Sequence, residues 1–202
     1  DVGARQIGQP YYAGNRALRD VDHRADSDTT LGTRFRKLGL VTLGNSNSPE
    51  FGLQSNTWPL SHGPTRNPWN LEHSPGGSSG GTASAVAARM VPMGHGGDGG
   101  GSIRIPSAHC GLFGMKPTRG RNPMGPFRFE GWGGFVQPGF LTRSVRDSAA
   151  MLDATSGPEP GGIYPLSAPR LPFDEAADVD PMPLRIAFTT SGLYGSTTHP
   201  HC

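Results

Sequence analysis

The chain predicts an α/β protein, and three features carry that reading. Leu31, Phe35 and Leu38 recur at i, i+4 and i+7, one stripe of an amphipathic helix. Gly39 stands where that helix would be capped, and Leu40-Val41-Thr42-Leu43 follows as a short buried strand closed by Gly44-Asn45. Further on, the run from Thr82 to Met90 is a helix of small side chains, and a glycine–serine cluster opens onto its N-terminus. Helices alternating with short apolar strands pack as layers of helix against sheet.

Taken in order, residues 1–27 are polar, carry turn signals and show little periodicity. The helix at 28–38 and the strand at 40–43 come next. Residues 45–75 form a long irregular stretch that holds Trp58 and Trp69; a loop of this length is functional or disordered, and two tryptophans argue against disorder. The helix at 82–90 allows close packing because its side chains are small. Ser102-Ile103-Arg104-Ile105 alternates like a strand until Pro106 stops it. Ser144 to Thr155 reads as a second amphipathic helix, with Val145, Ala149 and Leu152 on one face, Ser144 and Asp147 as its N-terminal cap, and Gly157-Pro158 as its stop. Residues 157–183 are rich in proline and acid, a surface connection to the strand-like Leu184 to Phe188.

The chain has 202 residues, a net charge of +2 with no basic run, and 51 glycines and prolines (31 and 20) gathered between the periodic segments. That pattern indicates a folded protein with elaborate loops. Nothing in it suggests nucleic acid. Cys110 and Cys202 form neither a disulfide framework nor a metal-ligand pattern, so a reducing, cytoplasmic setting and no metal are expected. No run reaches membrane-spanning length and no signal peptide is visible. From its two ends, the chain is expected to be part of one larger domain, all of 1–202 belonging to it.

Chemistry concentrates in two clusters, Ser74-Pro-Gly-Gly-Ser-Ser-Gly-Gly81 and Gly96-Gly-Asp-Gly-Gly-Gly-Ser-Ile-Arg-Ile-Pro106, with Ser78 and Ser102 24 positions apart. Backbone stripped of side chains around a hydroxyl leaves the nucleophile accessible and lets N–H groups converge on the oxygen of the group it attacks. A flexible linker is the bland reading of such composition, but neither a helix nor a strand-like run is needed beside a linker. Gly94 to Gly99 matches the dinucleotide pattern GxGxxG, yet lacks the flanking strand, helix and acidic residue, and no cofactor is assigned. GxSxG occurs twice, centred on Ser78 and Ser79, which keeps a nucleophile-elbow hydrolase open as an alternative, although Glu72 to Pro75 is a poor strand. Asp98 and Arg104 bracket Ser102; they form either a brace beneath the loop or two independent surface charges.

These clusters, with Cys110-Gly-Leu-Phe-Gly-Met-Lys-Pro-Thr118, resemble the amidase signature family, and the likeness runs from Asp1 to about Thr155. The resemblance implies a mixed β-sheet with helices on both faces and an amide hydrolase working through an acyl-enzyme. It makes Ser102 the nucleophile, Ser78, after a cis peptide bond, the bridge from Ser102 to a lysine, and the amides of Gly99, Gly100, Gly101 and Ser102 the oxyanion hole. Ser79 would support this network and Asp98 with Arg104 would brace the loop. Leu53 and Trp58, in the segment ahead of the first cluster, are candidates for lining a substrate pocket. A small amide substrate and a homodimer are expected, with no nucleic acid and no membrane as partners.

The chain departs from the family's pattern in one respect. Its two lysines are Lys37, among helix charges, and Lys116, at a position the family does not use for the base. In relatives the catalytic lysine directly precedes a segment like Asp1-Val-Gly-Ala, so the base is expected just upstream of Asp1 and 1–202 alone is expected to be inactive. The other readings are a non-catalytic relative and the A subunit of an amidotransferase. Asp98-Gly-Gly-Gly-Ser102 and Glu130-Gly-Trp-Gly-Gly134 resemble the branch that includes hydrolases of the 6-aminohexanoate cyclic dimer.

Overall fold

The computed structural model describes residues 1–190, 192, 194–197 and 199; His201 and Cys202 lie outside them. Three strands form an antiparallel sheet in the order β1 (Met93–Asp98), β3 (Gln137–Thr142), β2 (Phe113–Gly114). Helices α1 (Arg16–Asp20), α2 (Thr30–Lys37), α3 (Gly80–Ala87), α4 (Arg104–Cys110), α5 (Val145–Thr155) and α6 (Phe173–Ala177) surround it. Every strand pairing among the described residues is antiparallel.

Alternation along β3 sends its residues to two faces. Leu141 meets Ala83 of α3 and Ile103 and Cys110 at α4, all four fully buried. Phe140 points the other way, to Phe35 of α2, ring centroids 5.9 Å apart. Helices therefore cover both faces, as the resemblance implied. Strand β1 puts glycines toward α3: a Cβ at Gly94 would stand 2.4 Å from Thr82 Cγ2, and one at Gly96 2.7 Å from Leu141 Cδ1. These glycines of the apparent dinucleotide motif are explained by the close approach of helix to sheet.

Polar side chains set the helix ends. Thr29 Oγ1 accepts from Gly32 N at 3.1 Å and opens α2, and Ser144 Oγ accepts from Asp147 N at 3.1 Å and opens α5 as its sequence predicts. Arg34 of α2 donates to the carbonyls of Ser156 and Pro158 beyond the end of α5, joining the two helices. Residues 157–183 are mostly exposed, and Asp153 of α5 accepts from the N–H groups of Phe173 and Asp174 and so starts α6.

Three expected strands are absent. Leu40 to Leu43 pairs with nothing among the described residues, and Val41 and Leu43 are 81% and 75% exposed. Leu184 to Phe188 is likewise unpaired and exposed. An apolar run becomes a strand only when a neighbour takes its N–H and C=O groups. Ser102 to Ile105 is instead a turn leading into α4: the Ile103 and Arg104 N–H groups both go to the Asp98 carboxylate. Pro106 sits in the first turn of that helix, where a missing N–H costs nothing.

His95 of β1 faces Phe35 and Phe140 edge-on, and neither of its buried ring nitrogens finds a partner among the described residues. Burial pushes the imidazole pKa down to about 3. The native state thus holds His95 neutral while the unfolded chain protonates near pH 6.5. Stability from this site is complete above pH 6.5 and falls by roughly 1.4 kcal/mol per pH unit below it, down to about pH 3. His95→Phe is expected to flatten that slope between pH 6 and 4.5, measured by urea unfolding midpoints.

Candidate active site

The first cluster is a length of backbone on which other backbone lies. A Cβ at Gly77 would come within 2.7 Å of Asn56 O, and one at Gly81 within 2.3 Å of Asn47 O. The 45–57 loop therefore sits directly on Pro75 to Gly81, held there by Gly81 N donating to Asn47 O at 3.1 Å and Thr57 Oγ1 donating to Gly76 O at 2.9 Å. The Gly77–Ser78 peptide is cis, as the resemblance implied. Ser78 and Ser79 are buried and α3 begins directly after them.

The second cluster leaves the sheet at Asp98 and turns through Gly99, Gly100 and Gly101 to the half-buried Ser102. Gly101 requires its residue type, with φ at +128° and Ile105 Cδ1 2.7 Å from where a Cβ would stand. The two clusters meet through the backbone, Ser79 N donating to Ser102 O at 3.1 Å. The Ser79 hydroxyl is buried without a partner among the described residues, so the link to Ser102 is made by backbone.

Asp98 and Arg104 form the brace rather than two surface charges. Arg104 Nε and Nη2 each donate to the Asp98 carboxylate at 2.9 Å, a bidentate pair. The same carboxylate accepts from the N–H groups of Gly101 at 2.8 Å, Ile103 at 3.1 Å and Arg104 at 3.3 Å. Burial drives its pKa upward, but the Arg104 side-chain bonds, the backbone N–H bonds and the arginine's charge outweigh that and bring it to about 2.

This geometry changes the expected oxyanion hole. The Gly101 N–H is already given to Asp98 and is not free for a ligand. Among the described residues no acceptor takes the N–H of Gly99, Gly100 or Ser102. Gly100 is exposed, with open space where a Cβ would be. Leu53 and Trp58 are 63% and 64% exposed and lie on either side of Asn56-Thr57 along the chain. Two contacts escaped the sequence reading. The Trp132 ring lies against Gly99, within 2.7 Å of its Cβ position, and Lys116 Nζ donates to Gly99 O at 2.8 Å.

No strand precedes Ser78: residues 67–79 hold only an isolated bridge between Asn67 and Asn70, so the nucleophile-elbow alternative lacks its strand. Among the described residues no His, Cys, Asp and Glu side chains gather as a metal site, and no helix is long and apolar enough to cross a membrane.

The family model described as Amidase matches residues 7–201. The chain belongs to the amidase signature family. It is 42% identical over 190 residues to a 6-aminohexanoate-cyclic-dimer hydrolase of Paenarthrobacter ureafaciens, covering 93% of this chain and 38% of that one. It is 40% identical over 186 residues to the A subunit of glutamyl-tRNA(Gln) amidotransferase of Thermus thermophilus, covering 92% and 38%. Among solved structures, 6-aminohexanoate cyclic dimer hydrolase complexed with substrate superposes with a TM-score of 0.87 at 40% identity, over 91% of this chain and 39% of the other. A bacterial aryl acylamidase of the same family superposes with a TM-score of 0.77 at 36% identity, over 87% and 36%. The chain thus spans about two fifths of the length of these amidase signature relatives, and the likeness fixes its α/β class.

Asp98 is the strongest electrostatic commitment of the site. Its folded pKa of about 2 lies below the unfolded value near 3.9, so its contribution is present above pH 4 and lost as pH falls toward 2, roughly 2–3 kcal/mol in all. Asp98→Asn, which leaves Arg104 unpaired, is expected to cost roughly 3 kcal/mol and to remove that acid-range loss, both read from denaturant unfolding at pH 7 and pH 3.

Proposed function

We propose that the whole protein hydrolyses carboxamide C–N bonds, with Ser102 as nucleophile and Ser78 as the proton bridge. The observation that carries this reading is the braced turn 98–102, in which Ser102 follows Gly99 and Gly100, whose N–H groups no internal acceptor takes. Ser102 attacks the amide carbonyl and its proton leaves through Ser78. The oxygen that gains charge is met by the N–H groups of Gly99, Gly100 and Ser102, each such donor contributing about 3 kcal/mol to the rate in hydrolases of this kind. The amine departs with the relayed proton, and water releases the acid from the acyl-enzyme.

The relay needs a base, and neither lysine of the chain serves. Lys37 is exposed at the end of α2, and Lys116 aims its ammonium at a carbonyl. The reading places a lysine before Asp1. In support, the Asp1 nitrogen lies 3.3 Å from Ser46 Oγ, itself 2.6 Å from Thr82 Oγ1 of α3, while Gly52 has both Ser78 Oγ and Val2 Cγ2 within 4 Å of its Cβ position. The start of the chain thus runs beside α3 and Ser78. For substrate, the 42% identity to a hydrolase of that name supports the 6-aminohexanoate cyclic dimer as the first amide to test, with Leu53 and Trp58 lining the pocket.

A fluorophosphonate probe applied to the whole protein is expected to label Ser102, located by peptide mapping. Label on Ser78 or Ser79 would overturn the assignment. Ser102→Ala should abolish amide turnover, and Ser78→Ala should lower kcat by about a hundredfold or more. The polypeptide 1–202 alone is expected to turn over no amide, and turnover that Ser102→Ala removes would refute the missing base.

A further inference from the structure

The turn 99–101 is free of side chains, and that freedom has a physical consequence. Two successive glycines leave the Gly99–Gly100 peptide plane with little to resist its rotation. A donor for an oxyanion acts only if it points at the oxygen before charge develops. The loop therefore needs a clamp on that plane. Asp98 does not supply it, because its backbone bonds fall on Gly101, Ile103 and Arg104.

Lys116 supplies it. The residue follows β2, is fixed by Pro117 against Gly139 of β3, and has its side chain 22% exposed. Its Nζ donates to Gly99 O at 2.8 Å and stands 3.6 Å from Asp98 Oδ1. The Gly99–Gly100 peptide is not among the cis bonds, and in a planar trans peptide the C=O and the following N–H point in opposite directions. Holding Gly99 O on the Lys116 side therefore turns the Gly100 N–H the other way, and Gly100 is the exposed glycine of the turn, with open space where a Cβ would stand. The buried Asp98 carboxylate in turn holds the ammonium in place.

We propose that Lys116 is a positioning residue of the acyl-transfer site: it clamps the Gly99 carbonyl so that the Gly100 N–H faces the developing oxyanion. The proposal rests on the reading of Ser102 as nucleophile. It assigns Lys116 no proton transfer.

The test uses the whole protein and separates the two ideas. Fluorophosphonate labelling of wild-type Ser102 is measured first; no label there removes the nucleophile reading itself and this proposal with it. With label present, Lys116→Met is expected to lower kcat by about 10- to 100-fold, somewhat less than deletion of an oxyanion donor. KM should stay within about twofold, because the substrate's ground-state contacts are untouched. The phosphonylation rate of Ser102 should fall with kcat, since the phosphonyl oxygen uses the same donors. Lys116→Arg, which keeps a charged donor beside Asp98, should recover most of the rate. A Lys116→Met protein with kcat within threefold of wild type, one whose KM rises as much as kcat falls, or one that no longer folds would each overturn the assignment, the last by showing the contact to be structural.

Discussion

A carboxylate shut away from water is costly to keep charged, and Asp98, with 0% exposure, is kept so by five hydrogen bonds. Those five bonds also define the local fold. Asp98 is the last residue of β1, opposite Gln137 of β3, so its position is inherited from the sheet. Its two oxygens gather the N–H groups of Gly101, Ile103 and Arg104, which turns the chain out of the strand and starts α4 within a few residues. Arg104 then returns over the turn to complete the charge balance. Strand end, turn and helix start are thus one electrostatic unit, and Ser102 lies inside it.

The second constraint is distance between backbones. Gly94 and Gly96 let α3 press onto β1, and Gly77 and Gly81 let the 45–57 loop press onto the start of α3. Close packing at both places lets the Ser79 N–H reach Ser102 O and couples the two clusters. The far side of α4 is tied down as well: Trp69 Nε1 donates to Cys110 O and Asn67 Nδ2 to His109 O, each at 2.8 Å. Cys110 Sγ donates to Pro75 O at 3.7 Å, so the helix that follows Ser102 is bonded to the loop that precedes Ser78. Burial pushes that thiol up to about 11, which suits a packing role.

Helices were legible where a single periodicity ruled. The stripe of Leu31 and Phe35 and the Ser144 cap placed α2 and α5, because each rests on local spacing and one side-chain bond. Strands were not legible, for two opposite reasons. Leu40 to Leu43 and Leu184 to Phe188 have strand composition and no partner, and pairing is not a property of the segment itself. Strand β1, Met-Gly-His-Gly-Gly-Asp, has a partner and no strand composition, since its alternate positions are glycines facing a helix. Strand β3 is buried along its whole length and contains Pro138, so it shows neither alternation nor an uninterrupted run. The site was readable from its serines and glycines, but the division of labour among its N–H groups was not. Which amide serves Asp98 and which remains free depends on a turn of backbone that no residue type encodes alone.

Lys116 and the proposed relay base illustrate the same point. A relay base must be a neutral amine with its lone pair aimed at a hydroxyl, whereas a clamp must be a donor aimed at an acceptor. Lys116 meets the second description: its nearest partners are a carbonyl oxygen and a carboxylate oxygen, both acceptors. In the proposed mechanism, a cation that holds the amide cradle still is distinct from a base that moves protons through Ser78. Among the described residues Lys116 bonds a carbonyl and a carboxylate and no hydroxyl, so it fits the first role and not the second.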